Sequence, residues 1–399
     1  MKFLQRLLLS LPFFLLTSNA FAVTDFDIEV RDSDGDYTSY ATVESAFDVN
    51  LTDSVVLYHG GITGTIADGS SVEGATSGAT GTAVHVTSTQ IGIYGITGTF
   101  QNSEQIYLTE DSHYVTSSSA SDDMATVITF YNDTTESEWD GGTYDAVNTI
   151  TLRGDTTGDS ELAWDGTITG GVNITGTGWC GFKTSDTYIT YENIVVTCDN
   201  GACMCPSVNG AVNYINIIAN GGGFQPSYVT GADAVCTNCY SYNSAGEGFN
   251  CHYASTFVHC YNCTSENATG TGFDKGGGNC LGYNLVAFDS ADNLDFYQFR
   301  LYLGGGKYNE GDYHACSDTS CNDYVTNYIT GLTLAEEIEG SGNPHLLSTS
   351  DLVDAGDDIF ATSGIDYDID NVTRGATWDI GADEYVSTEV VFTPWIMMF

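Results

Sequence analysis

The sequence predicts an all-β solenoid, a stack of short parallel strands wound as a β-helix, and three observations carry that prediction. The first is an internal repeat. Ala211–Phe224, Cys236–Phe249 and Cys260–Phe273 are copies set 25 and 24 residues apart. Each reads as a short alternating stretch, a polar turn and a closing Gly-x-Gly-Phe. A short strand cannot bury its own apolar face, whereas stacked copies can, so a period of this size implies a solenoid. The second is the period-two alternation inside the copies, broken by Gly and Asn, which disfavours helical repeats. The third is composition: 46 Gly, 25 Tyr and 19 Phe against 5 Pro, with 16% charged residues. This is too aromatic a chain for disorder.

The elements follow in order. Residues 1–22 read as a secretory signal peptide: Lys2 and Arg6, an apolar run from Leu7 to Leu16, then Ala20-Phe21-Ala22 as a small-x-small cleavage site. Residues 23–60 form an N-terminal cap and lead-in segment, in which Tyr40, Val43 and Phe47 have the spacing of a short amphipathic helix. The parallel β-helix is expected over residues 61–340, with degenerate copies at 188–197 and 280–288 flanking the three clear ones. Residues 341–386 form a C-terminal cap segment and 387–399 a largely apolar tail. After the signal peptide no apolar run is long enough to span a bilayer, so the expected product is secreted, periplasmic or at the cell surface, without a transmembrane segment.

These motifs resemble the right-handed parallel β-helix proteins of the pectin-lyase-like superfamily. Asp34-Gly-Asp-Tyr-Thr-Ser-Tyr40 resembles the turn that leads into that family's capping helix. Asp351-Leu-Val-Asp-Ala-Gly356 and the stretch Asp368–Tyr385 resemble a tail of secreted β-helices known as the choice-of-anchor Q type, with Asn371-Val372-Thr373 where Gly and Pro often precede the Arg. The resemblance implies a single right-handed parallel β-helix with a short N-terminal capping helix and a C-terminal cap segment. It says little about activity, because this fold hosts many functions.

Twelve Cys fall between Cys180 and Cys321. In an exported chain an even number favours disulfides. The repeats set Cys236 above Cys260 and Cys239 above Cys263, about 4.8 Å apart across adjacent rungs, so bridges Cys236–Cys260 and Cys239–Cys263 are expected, with Cys316–Cys321 as a local pair. Buried reduced thiols are the second reading. A zinc site is the third, disfavoured because residues three apart in a strand point to opposite faces.

The 53 acidic residues against 9 basic ones give a formal charge of −44. That excludes phosphate-backbone binding to nucleic acid and suits a solvated extracellular surface. The expected partner is a polysaccharide or cell-surface glycan held on an extended β-surface, with Tyr240, Tyr242, Tyr261 and Tyr283 as candidate sugar-stacking residues. The alternative is a calcium-dependent lyase that β-eliminates a polyuronate. Gly270–Gly278 resembles the rung that carries the catalytic Lys of family-nine pectate lyases, with Asp274 in the Lys position and Lys275 one step later. The resemblance points to Lys275 as base, and Arg300, 25 residues on and so close to one rung away, is the expected partner of the substrate carboxylate or transition state. Candidate Ca2+ ligands are Glu247, Asp274 and Asp295 near that rung, and the alternating Asp366, Asp368 and Asp370 in the tail. A glycoside hydrolase needs only two carboxylates, a criterion that selects nothing in so acidic a chain.

Overall fold

Each repeat builds one turn of a coil with three short strands. The structure, a computed structural model, describes residues 23–386 apart from 34, 109–112, 119–121, 132, 134–137, 140–141, 158–161, 177–179, 200, 207–210, 226–232, 252–256, 275–278, 292–293, 298–311, 324–326 and 360–362. The first sheet starts with Val23–Val30 on Asp122–Phe130 and runs through Ile150–Gly154, the 189–192 half of Ile189–Cys198, Ala211–Asn220, Asp233–Thr237, Phe257–Tyr261 and Asn279–Phe288, all parallel. The second takes the later halves of the long strands, from Val172–Gly176 through Tyr240–Tyr242 and Thr264–Glu266 to Asp312–Cys316 and Tyr328–Thr330. The third is a seven-stranded parallel sheet ending in Phe249–Asn250, Phe273–Asp274 and Phe296–Tyr297.

The corner between the first two sheets is made by asparagine. Asn193, Asn216, Asn238, Asn262 and Asn284 have φ of 57, 52, 51, 52 and 53°. This left-handed region is costly for most L-residues and best tolerated by Asn and Gly. Their amides form a ladder. Asn216 Nδ2 donates to Asn193 Oδ1 at 2.9 Å, Asn238 to Asn216 at 3.1 Å, Asn262 to Asn238 at 3.2 Å and Asn284 to Asn262 at 2.9 Å. Every rung therefore satisfies its buried amide through the next one.

The Gly-x-Gly-Phe motifs build the other internal column. Phe224, Phe249, Phe273 and Phe296 are buried and stack at 4.7, 4.8 and 4.9 Å, with the His314 ring closing the stack at 4.9 Å. The glycine before Phe224, Phe249 and Phe273 is forced by the closeness of the next rung, while Asp295 precedes Phe296. A Cβ on Gly248 would stand 2.1 Å from Ser265 Oγ and 2.6 Å from the Gly272 carbonyl oxygen.

The N-terminal helix forms as its spacing predicts. Tyr40–Phe47 is capped by Ser39, whose side chain accepts from Thr42 N, and it buries Tyr40, Val43 and Phe47. Tyr40 packs on Phe130 at 5.5 Å and on Trp139 at 5.6 Å, closing the first turn of the coil. One boundary differs. The strands between Val55–Thr63 and Tyr114–Ser117 pair antiparallel and enclose a separate core around Leu57, Val72, Ile91, Ile93 and Ile106. The parallel coil thus resumes at Asp122–Phe130 rather than running from residue 61. Alternation identifies a strand but carries no direction of pairing.

The C-terminal segment is a strap along the flank rather than a lid over the end. It lies on the asparagine corner. Asn216 Nδ2 donates to Asn371 Oδ1 at 2.9 Å, Asn238 Nδ2 to the Tyr367 carbonyl at 2.7 Å and Asn284 Nδ2 to the Asp357 carbonyl at 2.8 Å. Ile369 and Ala382 pack on Tyr240, Ile218 and Val195 on one side of the corner, and Ile359 and Trp378 on Tyr261 and Leu281 on the other. Among the described residues no helix is long and apolar enough to cross a membrane. Residues 1–22 and 387–399 lie outside the described residues.

Candidate functional site

The strap is organised around a buried cation. The Arg374 side chain has no exposure and pairs with Glu384 at 3.2 Å. Its Nη2 donates to Asn238 Oδ1 at 3.2 Å and to the carbonyls of Gly381 and Ala382 at 3.2 and 2.9 Å. Carboxylates gather about it. Asp368 Oδ1 accepts from Asp370 N and Val372 N at 2.9 and 2.8 Å, and Asp379 from Asp354 N and Tyr385 N, both at 2.6 Å. Burial, with the charge of Asp383, pushes Asp368 up to about 7. Burial likewise pushes Asp379 and Asp383 up to about 6. Burial lowers the Arg374 guanidinium, and the surrounding carboxylates oppose that shift.

Beside this cluster His345, Asp370 and Asp383 turn one ligand atom each toward a common point, all within 4.8 Å of one another. They form the one such convergence of three His, Cys, Asp or Glu side chains found among the described residues. His345 Nε2 lies 3.0 Å from Asp370 Oδ1, and its Nδ1 lies 4.0 Å from Glu339. The Asp370 contact, which outweighs burial, raises the imidazole to about 9. The three residues line a cleft of about 460 Å³ with Glu339, Tyr385 and Val386.

Of the three tail aspartates, one belongs to this convergent group. Asp370 belongs to the convergent group, whereas Asp368 is buried and caps the turn, and Asp366 is exposed and outside it. The alternation argument fails here because 368–371 is a turn, not a strand. His345 and Asp383 carry no local signal; only the folding of the strap unites them.

The carboxylates Glu247, Asp274 and Asp295 do not converge. Phe249, Phe273 and Phe296 are in register, and the three acids stand two before, one after and one before their respective Phe. They thus occupy different positions in successive rungs. Asp295 is buried and committed: its Oδ2 accepts from Ser317 N and Ser317 Oγ, both at 2.7 Å, and burial raises its carboxyl. The Ca2+ that the lyase resemblance implies needs several converging oxygens. This donor set does not fit it, and no reaction step is derived through it. Lys275 and Arg300 lie outside the described residues.

The tyrosines are not a sugar platform. Tyr240 and Tyr261 are buried and Tyr242 and Tyr283 half-buried, because the strap covers the outward faces of the first two sheets. The Tyr240 hydroxyl donates to the buried carboxylate of Glu266. On the third sheet the arrangement is different. Asn250, Asp274 and Tyr297 are in-register neighbours that follow the stacked Phe of three successive rungs, and Tyr297 is 42% exposed. Inward Phe followed by an outward residue was readable from the strand period, but nothing local says which sheet the strap leaves open.

The cysteines divide in two. Cys180–Cys205, Cys198–Cys203 and the expected Cys316–Cys321 are disulfides, and Cys251 is also bonded. These bonds suit an oxidising, extracellular environment. Cys236, Cys239, Cys260 and Cys263 are instead free, buried thiols, so the two inter-rung bridges are corrected. Cys236 and Cys260 are in register as expected. However, stacked side chains in a parallel ladder leave the coil in the same direction, with Cβ atoms near the strand spacing of about 4.8 Å rather than the ~3.8 Å of a disulfide. The opposite-face argument against zinc also fails, since the left-handed turns at Asn238 and Asn262 point both thiols of each pair inward. The surroundings of Cys236, Cys239 and Cys260 suit S–H donors rather than thiolates. Cys239 Sγ faces the carbonyls of Tyr214 and Thr237 at 3.3 and 3.4 Å, and Cys263 Sγ those of Cys236 and Tyr261 at 3.4 and 3.3 Å. Burial pushes the thiols of Cys236, Cys239 and Cys260 well up, whereas at Cys263 burial is outweighed by hydrogen bonds from the Cys239 and Cys260 thiols, which bring it down to about 5.

No family model, curated protein or solved structure matches this chain. Its class is therefore given by its own geometry: a disulfide-bonded β-solenoid with a strap along one corner and, among the described residues, a third sheet that the strap does not cover.

Proposed function

We propose that the protein is a secreted β-helical binding protein that presents its third sheet to extracellular or cell-surface polysaccharide. The observation that carries this reading is the in-register row Asn250–Asp274–Tyr297 on the sheet the strap does not occupy, ending on an exposed aromatic. An aromatic face stacks on the apolar face of a sugar ring, and the half-buried Asp274 carboxylate in the same row can bond its hydroxyls. Asn250 is 3% exposed, so the accessible members of the row are Asp274 and Tyr297. The charge of −44 favours neutral glycans, or polyuronates bridged by divalent ions. The resemblance to the pectin-lyase-like superfamily supports a glycan partner without fixing the chemistry.

A second reading is a polysaccharide lyase. Asp274 stands in this row, and Lys275, the candidate base, is next in sequence, with Arg300 three residues after Tyr297. Affinity electrophoresis through gels containing pectate, alginate, chondroitin or neutral glucans tests both, combined with ultraviolet absorbance for unsaturated product. The expected result is retardation by at least one polysaccharide, weakened about tenfold in Tyr297→Ala, equivalent to about 1.4 kcal/mol, without product. No retardation in any gel, or retardation unchanged in Tyr297→Ala and Asp274→Asn, overturns the binding reading. Product formation lost in Lys275→Ala replaces it with the lyase.

A further inference from the structure

We propose that His345, Asp370 and Asp383 bind a first-row divalent cation of the zinc or manganese kind, and that the ion fastens three separate segments of the strap to one another. The donor set is one imidazole nitrogen and two carboxylate oxygens within 4.8 Å of one another. Around an ion with bonds of about 2.0–2.2 Å, such atoms close by small side-chain rotations. Each donor has its own segment: His345 lies on the hairpin strand Asn343–Leu346, Asp370 in the turn at 368–371 and Asp383 in the final stretch.

Three independent features point to an ion rather than a self-satisfied acidic cluster. Asp383 is 5% exposed and its Oδ2 accepts from Leu346 N at 2.7 Å, while its other oxygen accepts no hydrogen bond from a described residue. The His345 ring offers Nε2 to the site, and its far nitrogen faces Glu339 at 4.0 Å. At 4.0 Å this is an ion-pair contact rather than a hydrogen bond; a small rotation of Glu339 would give the ring the carboxylate support usual for a metal-bound histidine. Finally, Gly166 has φ +72°, and a Cβ there would fall 1.9 Å from Asp370 Oδ1 and 3.1 Å from His345 Nε2. Only glycine leaves the two donor atoms uncovered on that side. On the other side the 460 Å³ cleft gives an ion access and room for water to complete its coordination.

The imidazole decides the class of ion. Calcium and magnesium take oxygen ligands, whereas mixed imidazole and carboxylate sites suit zinc and its first-row neighbours. The ion would play the part a disulfide plays elsewhere in this chain, closing loops between residues 345, 370 and 383.

The test uses the full chain after chelator treatment and dialysis. Zn2+, Mn2+, Co2+ and Ca2+ are titrated separately by calorimetry, with Tm recorded in parallel. One zinc equivalent is expected to bind and raise Tm, with at least tenfold weaker binding in His345→Gln and in Asp370→Asn, and no comparable effect of Ca2+. Near-ultraviolet circular dichroism of the metal-free variants, unchanged from wild type, separates lost ligation from lost folding. Co2+ reports the ligands: weak visible bands fit nitrogen and oxygen donors. Intense sulfur-to-metal charge transfer would put the ion on the four core cysteines and overturn the proposal. Binding unchanged in His345→Gln, or Ca2+ binding as tight as zinc, would equally overturn it, leaving an adventitious ion on an acidic surface only.

Discussion

Asn238 joins the ladder to the strap, and its replacement by Ala should be among the most damaging changes of a small side chain in the molecule. Its amide makes four bonds: to Asn216 Oδ1 at 3.1 Å, to the Tyr367 carbonyl at 2.7 Å, from Asn262 Nδ2 at 3.2 Å and from Arg374 Nη2 at 3.2 Å. Truncation leaves buried partners unpaired. A neutral bond is worth about 1 kcal/mol and one to a charged group about 1.5–3 kcal/mol. Ala must also hold φ 51°, which costs about 1 kcal/mol more. The expected loss is roughly 5–7 kcal/mol. Asn238→Gly removes the same bonds but not the tolerance for positive φ, so it should be about 1 kcal/mol less damaging than Ala. Asn213, half-buried with one bond to Thr190 Oγ1 at 3.3 Å, is the matched control, and its Ala variant should lose at most about 1 kcal/mol. Urea unfolding followed by circular dichroism, compared at constant m, reads all three. An Asn238→Ala variant within about 1 kcal/mol of wild type, or a Gly variant worse than Ala, would refute the ladder as the seat of strap docking.

Further predictions concern the core and the N-terminal region. A thiol reagent applied without reductant should find Cys236, Cys239, Cys260 and Cys263 silent in the native chain and reactive after unfolding; silence in denaturant would mean that the inter-rung bridges exist after all. Gly248→Ala should destabilise by about 1–3 kcal/mol through overpacking, since its Cβ would meet Ser265 Oγ at 2.1 Å, and an unchanged unfolding midpoint would contradict the rung spacing. His85 is buried, with ion-pair contacts to Asp36 at 3.4 Å and Asp68 at 3.8 Å. Burial alone would lower its pKa, but these carboxylates raise it to about 9. Its stabilisation is therefore complete below the unfolded value of about 6.5 and is lost as pH rises through 9. With partly exposed partners the effect is discounted to about 2 kcal/mol. A His85→Gln variant should flatten that stretch of the pH–stability curve, and an undiminished slope would remove His85 as its source.

Much of the coil was legible because its signals are local. Gly-x-Gly-Phe marks a turn, a close rung contact and an inward ring in four consecutive residues. Tyr40, Val43 and Phe47 mark a buried helix face, and Cys316 and Cys321 are near enough in sequence to pair. Most of the misreadings needed a fact from outside the segment; the exception, the CxxC pairs, lies inside it. The CxxC pairs were read as straight strand, whereas left-handed Asn238 and Asn262 bend the chain and turn both thiols inward. Tyr240 and Tyr261 have the alternation of outward residues and are outward, but Ile369, Ala382, Ile359 and Trp378, more than 90 residues later, cover them. Alternation between residues 55 and 117 could not distinguish antiparallel hairpins from coil. His345 and Asp383 belong to a site only because the strap folds back on itself.

The claim that the third sheet is the glycan-binding face is tested most directly by hydrogen exchange of the full chain with and without the polysaccharide that retards it. Slowed exchange in peptides containing residues 249–250, 273–274 and 296–297, with the strap unchanged, is the predicted result. Protection confined to the strap and the asparagine corner, or no protection at saturating polysaccharide, would contradict it.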